Sequence, residues 1–221
     1  MKTTLLLILV ICTLNYPFSG TAASPHKKLT DKQTIDTLVI KDISKELYIC
    51  TCKPNTSNPS GEGQIYYQGK YFEDLVTDEA NYKECDERFL ILWNLSELPD
   101  AVEIVEAKMD LYCMEFLGDK KGQLVYESIT EPWNAEIGYS KKPNTSEIGR
   151  IITPWPESKQ FHSVNITGFI QNWYAKKMPN YGVMGYSIHT ETTNSALFYT
   201  SKFPDKNYRP KLTIVYKKNK S

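Results

Sequence analysis

The stretch "RFLILWNLSELPDAVEIVEAKMDLYC", residues 88–113, contains two different strand patterns on either side of one turn. Its first eight residues are nearly all apolar, which predicts a strand that is buried on both faces or covered by a loop. "ELPD" then marks a turn. Ile104–Cys113 alternates apolar with polar residues, so one face should point into a core while Lys108, Asp110 and Tyr112 face outward.

Short strand patterns recur along the chain, separated by turns rich in Pro, Gly and Asn. Besides the two above, they are Leu47–Cys52, residues 64–68, Gln123–Ile129, Gly182–Thr190, Ala196–Ser201 and Lys211–Lys217. Strands of this length without alternating helices predict an all-β fold, an antiparallel β-sandwich.

One stretch, "NITGFIQNWYAKKMPNYG" at residues 165–182, has a helical period instead. Ile166, Phe169, Ile170 and Trp173 fall at i, i+3, i+4 and i+7, the apolar stripe of an amphipathic helix. The spacing predicts one short helix near residues 166–174, ended by the Pro and Gly of "MPNYG".

The N-terminus has the pattern of a secretory signal peptide, Met1–Ala23, with Lys2 ahead of an apolar run that is too short to span a bilayer. We therefore expect a secreted, extracellular protein without membrane insertion. Residues 24–37 are polar and predict a flexible N-terminal arm, and residues 38–218 a single domain.

The length and charge of the chain bear on the kind of partner that it can bind. Without the leader, 198 of the 221 residues remain, with 25 basic and 26 acidic residues and a net charge of −1. This balance gives no indication of nucleic acid as a partner.

The mature chain keeps four cysteines, Cys50, Cys52, Cys85 and Cys113. An even count after a signal peptide favours disulfides, and the alternative is a pair of buried free thiols. Cys50 and Cys52 would point to one face of a strand, so we expect no bond between them. We expect two bridges that join Cys50 and Cys52 to Cys85 and Cys113, and the sequence does not decide which cysteine pairs with which.

Residues 71–87 contain seven carboxylates against Lys83 alone. Clustered carboxylates can hold calcium, but their spacing does not fit an EF-hand, and a solvated surface loop is the favoured interpretation. No other cofactor is expected.

Several stretches of the chain, taken in order, resemble the motifs of a known family. Residues 88–112 resemble the two opening blocks of the DNRLRE domain, which is also carbohydrate-binding module family 96. Three later stretches resemble further blocks in the same order: Glu131-Pro132-Trp133, the helical stretch 165–182, and a closing motif with Ser201, Arg209 and Pro210. The resemblance extends from about residue 47 to residue 216.

The resemblance implies a secreted jelly-roll β-sandwich whose helix caps one open end, with Trp173 in the core. It also implies polysaccharide binding, of alginate type for some members. The chain departs from the family at Asn94 and Asn165, where the family has Asp, and at Gly138-Tyr139, where Thr-Trp is usual.

Aromatic rings can stack on sugars, but they also fill β-sandwich cores. Trp155 stands between two prolines in an expected exposed loop, and Trp133 and Tyr139 lie in another loop ahead of Lys141 and Lys142. These five residues are the predicted carbohydrate site, with the two lysines as partners for uronic-acid carboxylates.

Signatures of catalysis are missing from the sequence: it has no H-E-x-x-H, G-x-S-x-G or P-loop motif. Glu131 and Glu136 are candidates for a glycosidase pair, which we consider an outlier. The sequence thus favours a non-catalytic carbohydrate-binding module. The alternative is a structural or adhesive extracellular coat protein without a sugar site.

Overall fold

The computed structural model describes residues 34–51, 55, 58–59, 65–74, 82–188 and 194–218, without the side chains at 58–59, 65–74 and 82–84. The strands are β1 (Thr34–Ile40), β2 (Ile43–Cys50), β3 (Asn58–Pro59), β4 (Ile65–Asp74), β5 (Tyr82–Trp93), β6 (Val102–Leu117), β7 (Gln123–Ile129), β8 (Thr145–Thr153), β9 (Gln160–Asn165), β10 (Val183–Ile188), β11 (Asn194–Tyr199) and β12 (Lys211–Lys218). The helix α1 (Thr167–Tyr174) follows β9, and two 3-10 turns lie at Tyr139–Lys141 and Lys206–Tyr208.

Two antiparallel sheets pack together. One has the order β1-β12-β6-β9, and the other β8-β7-β10-β5-β2 with β3 beyond β2. The long strands β5 and β6 continue past these sheets, and β4 and β11 pair with their extensions and with each other. The sheets therefore join at one end, and the predicted all-β sandwich with one short helix is confirmed.

The main core lies between the sheets and follows the predicted alternation. On β6, Ala107, Met109, Leu111 and Cys113 are fully buried in this core. Because side chains alternate along a strand, the residues between them lie on the outer face of the sheet.

Strand β5 is buried on both faces, as its apolar sequence predicts. Phe89, Ile91 and Trp93 belong to the main core, whereas Leu90 belongs to a second apolar cluster on the outer face. Trp133 also belongs to that cluster, so the segment after β7 covers this face of the sheet. The apolar run of β5 is thus explained by a strand whose inner face lies in the main core and whose outer face is covered by a loop.

Helix α1 is confirmed, and its apolar stripe enters the core. Phe169, Ile170 and Trp173 are buried, and Trp173 Nε1 donates a 3.2 Å hydrogen bond to Ser128 Oγ. Ahead of the helix, Asn165 Oδ1 accepts from the backbone N–H of Thr167 at 3.1 Å, which satisfies one free donor of the first turn.

Several boundaries differ from expectation. Strand β1 begins at Thr34, so the last residues of the expected arm are a strand paired with β12. Strands β8 and β9 were not predicted, because short edge strands with few buried side chains carry a weak periodic signal. The prediction of an acidic surface loop is wrong for residues 71–74 and 82–87, because these residues belong to β4 and β5.

Some predictions concern residues that the structure does not describe. The proposed signal peptide, most of the arm, and residues 75–81 of the acidic stretch lie outside the described residues. Within the described ranges, no helix has the length and hydrophobicity needed to cross a membrane.

Candidate functional site

Trp133, the first of the predicted site residues, is a structural anchor. Its side chain is buried, and its Nε1 donates a 2.7 Å hydrogen bond to the carbonyl of Tyr181. Lys45 Nζ donates to the Trp133 carbonyl at 2.9 Å. These bonds fix the covering segment on the outer face of the sheet and leave little of the indole for a ligand.

Tyr139 is half-buried in the same segment and is engaged by charged neighbours. Its hydroxyl donates a 2.5 Å hydrogen bond to Asp86 Oδ2, and burial together with this carboxylate raises the pKa of the phenol. The Arg88 guanidinium lies 5.2 Å from the ring centroid, and Lys142 Nζ lies 4.8 Å from it.

Lys141 and Lys142 are exposed, as expected for this segment. Lys141 lines a small pocket of about 210 Å³ with Asn55, Glu136, Gly138 and Ser140. The structure therefore brings Trp133, Tyr139 and the two lysines into one segment, but it offers a ligand only the lysines and part of Tyr139.

The expectation that Trp155 lies in an exposed loop is wrong. Only 5% of this residue is accessible to solvent, and it belongs to the main core. Its ring packs against Phe116 at 5.3 Å, and its Nε1 donates to the Lys121 carbonyl at 2.9 Å. A proline restricts the backbone but does not decide whether its neighbour's side chain is exposed, and here the indole enters the core, away from the segment that carries Trp133.

The cysteines also differ from expectation. Cys50 and Cys113 are buried and are not bonded in a disulfide, so the prediction of two bridges that use all four cysteines is wrong. Cys85 is fully buried and is not one of these two thiols. Cys52 lies outside the described residues, and a bridge between Cys52 and Cys85 stays a prediction.

A different part of the surface gathers aromatic residues. We call it the outer aromatic cluster, and it consists of Tyr112, Phe161, Tyr199, Phe203 and Tyr208. Tyr112 of β6 lies opposite Phe161 of β9. Tyr199 follows Phe198, the β11 residue that pairs with Cys113. Three strands thus place rings side by side on the outer face, at outward positions of the alternation.

The rings contact one another closely. The centroid of Tyr112 lies 5.2 Å from that of Phe161, 5.6 Å from Tyr199 and 4.5 Å from Tyr208. Phe203 stacks on Tyr199 with 3.5 Å between centroids. The cluster is therefore one continuous surface, with Phe161 and Tyr208 the most accessible rings at 36% and 37% exposure.

The tyrosines keep their polar ends available. In the part of the chain that the structure describes, the hydroxyls of Tyr112, Tyr199 and Tyr208 make no hydrogen bond to protein. Each can donate and accept. Apolar ring surface next to free hydroxyls suits a ligand with both C–H faces and hydroxyl groups.

A polar row borders the aromatic row. Asp110 of β6 lies opposite Ser163 of β9 and Lys211 of β12, one step of the alternation away from Tyr112. Ser163 Oγ donates to Asp110 Oδ1, and Lys211 Nζ lies 3.7 Å from Asp110 Oδ2 and 4.7 Å from the centroid of Phe161.

The loop between β11 and β12 supplies two of the rings and is held by its neighbours. Ser201 donates from its backbone N–H to Glu46 Oε2 at 3.1 Å and from its hydroxyl to Oε1 at 2.5 Å. Arg209 Nε donates to the Phe203 carbonyl at 2.6 Å. Ser201 and Arg209, which the closing motif contains, therefore position the aromatic loop.

The sequence patterns did not reveal this cluster, although one signal was present. Tyr112 was predicted to face outward, and an aromatic ring on the polar face of a strand is a feature to explain. Phe161, Phe203 and Tyr208 could not be placed beside it, because β9 was not predicted and the β11–β12 loop has no period. Tyr199 lies on a predicted strand, but the sequence does not give the pairing of that strand.

The carboxylates of the described residues bear on metal binding and on the candidate glycosidase pair. Within them, no group of three or more His, Cys, Asp or Glu side chains could hold a metal ion. Glu131 accepts hydrogen bonds from the backbone and side chain of Asn144 at 2.8 and 3.2 Å, which is a structural use of that carboxylate.

No family model matches the chain, and no curated protein is similar to it in sequence. The resemblance to the DNRLRE domain therefore stays a prediction.

Proposed function

We propose that this protein is a secreted, non-catalytic carbohydrate-binding module of the DNRLRE type, and that it binds an extracellular polysaccharide through the outer aromatic cluster. The observation that carries the proposal is the continuous surface of five rings, with three tyrosine hydroxyls that make no hydrogen bond within the described residues. Such a surface offers apolar contact to the C–H faces of pyranose rings and hydrogen bonds to their hydroxyls.

The proposal moves the site away from the residues expected at first. Trp133 and Trp155 are buried and hydrogen-bonded, so stacking on a sugar would require the core to open. Tyr139, Lys141 and Lys142 remain as a separate candidate surface. The same proposal includes an extracellular location, where a bridge between Cys85 and Cys52, a residue outside the described ranges, would persist.

Affinity electrophoresis tests the site. Native gels are cast with a neutral glucan, pectin or alginate, and the mature protein is compared with a Phe161→Ala, Tyr208→Ala double variant. We expect at least one polysaccharide to retard the wild type and the variant to migrate as in a gel without polysaccharide. Ile148→Ala removes an exposed apolar side chain from β8, outside the cluster, and serves as the matched control.

A second variant, Tyr139→Ala with Lys142→Ala, tests the segment predicted from sequence. If this variant loses retardation and the cluster variant keeps it, the binding surface lies in that segment. If no polysaccharide from a broad panel retards the wild type, the proposal of a carbohydrate-binding module fails, and the hypothesis of a structural coat protein is favoured.

A further inference from the structure

The polar row beside the outer aromatic cluster determines the charge of the proposed site. Asp110 has only 12% of its side chain exposed, and Lys211 has 35%. The carboxylate accepts from Ser163 Oγ and lies beside the Lys211 ammonium group. It therefore compensates the lysine's charge before any ligand arrives.

This compensation bears on the class of ligand. A partly buried ion pair is screened by salt less than an exposed one. A uronate carboxylate placed against Lys211 would also approach Asp110, and like charges at short range disfavour each other. A neutral hydroxyl has no such penalty, and it can accept from Lys211 Nζ or donate to Ser163 Oγ.

Three charged residues of the β11–β12 loop are exposed. Lys202 and Lys206 lie on the β11–β12 loop, and Asp205 on the same loop accepts from the backbone N–H of Asn207 at 2.9 Å. Exposed lysines attract any polyanion, but such attraction weakens with salt and contributes little at physiological ionic strength.

We infer that the ligand of the outer aromatic cluster is a neutral polysaccharide, whose hydroxyl groups bind Ser163 and Lys211 while its sugar rings stack on Phe161 and Tyr208. Asp110 acts as a positioning residue that orients both polar groups and cancels the positive charge. This inference rests on the proposed function and narrows it to one class of polymer.

The experiment compares a neutral glucan with alginate, each at an ionic strength of about 0.01 M and about 0.15 M. Wild-type protein should bind the glucan with little change between the two conditions. Asp110→Asn keeps the shape of the side chain but exposes the charge of Lys211. It should lower the affinity for glucan by about 2- to 10-fold, equivalent to one hydrogen bond. It should also create or strengthen alginate binding at low salt.

Glu97→Gln makes the same change of charge in the exposed turn before β6 and should alter neither affinity. Wild-type protein that prefers alginate, or an Asp110→Asn variant unchanged toward both polymers, would overturn the inference and leave carbohydrate binding standing. Wild-type protein that binds no polysaccharide would instead refute the proposed function.

Discussion

The hydroxyl of Tyr48 donates a 2.5 Å hydrogen bond to the carboxyl group of Glu87 inside the sandwich. Ser195 Oγ lies 3.3 Å from the other carboxyl oxygen, and only 2% of Glu87 is exposed. Burial disfavours the ionised form more than these two hydrogen bonds favour it, and it raises the pKa of Glu87 to about 7.

This shift predicts a pH dependence of stability. Because the folded state holds the Glu87 proton up to about pH 7 while the unfolded chain releases it near pH 4.5, stability should fall as pH rises between these values. The loss should be about 3 kcal/mol. Urea unfolding across this range should show the decline as the difference between wild type and Glu87→Gln. A constant difference would contradict it.

His162 should act in the opposite direction. Burial lowers the pKa of this histidine to about 4 from its ordinary value of 6.5. The unfolded chain therefore binds the proton more readily, and stability should rise as pH increases from about 4 to 6.5. In Glu87→Gln this rise should become visible, and adding His162→Gln should remove it. A single and a double variant with the same pH profile would exclude the role of His162.

Trp155→Ala should destabilise the fold as strongly as Trp173→Ala. Both indoles are 5% exposed and lie in the main core, so each truncation should lower the free energy of unfolding by about 3–5 kcal/mol. Ile148, which is 87% exposed, provides the control, and its replacement by Ala should change stability by about 0.5 kcal/mol or less. Thermal and urea unfolding of the three variants check this, and a mild Trp155→Ala would show that the indole is outside the core.

Two glycines should respond to alanine with opposite signs. Gly182 has φ +94°, and a Cβ atom there would lie 2.2 Å from the Ile91 carbonyl oxygen, so Gly182→Ala should be strongly destabilising. Gly168 lies in α1, and apart from its chain neighbours and the helix's own backbone no atom lies within 4 Å of the added Cβ, so Gly168→Ala should stabilise by about 0.5–1 kcal/mol. Unfolding midpoints that shift in the same direction for both would be inconsistent with this structure.

Thiol titration tests the cysteine assignment. In the denatured, unreduced protein that lacks residues 1–23, Cys50 and Cys113 should react, giving two thiols per chain, and reduction should raise the number to four if Cys52 and Cys85 are bridged. In the native state Cys113 should react slowly, because burial raises its pKa to about 11. Four thiols before reduction would exclude the bridge, and none would show that Cys50 and Cys113 are also oxidised.

The sequence alone determined the fold class, the main strands and the helix. Alternation along β6 and the 3.6-residue period of α1 each record which side chains face the core, and burial of apolar surface is the dominant driving force of folding. The inner residues of β6 and the placement of Trp173 could therefore be predicted, as could the double burial of β5.

Only the tertiary structure decided where the other aromatic residues lie. The prolines beside Trp155 predict an exposed residue. The space beside Phe116 that Trp155 fills is formed by segments distant in sequence. Tyr112, Phe161 and Tyr208 are separated by tens of residues. Pairing of β6 with β9 brings the first two together, and the β11–β12 loop places Tyr208 beside them. Local periodicity reports burial within one element, whereas a surface assembled from several strands depends on their register, which a single sequence does not encode locally.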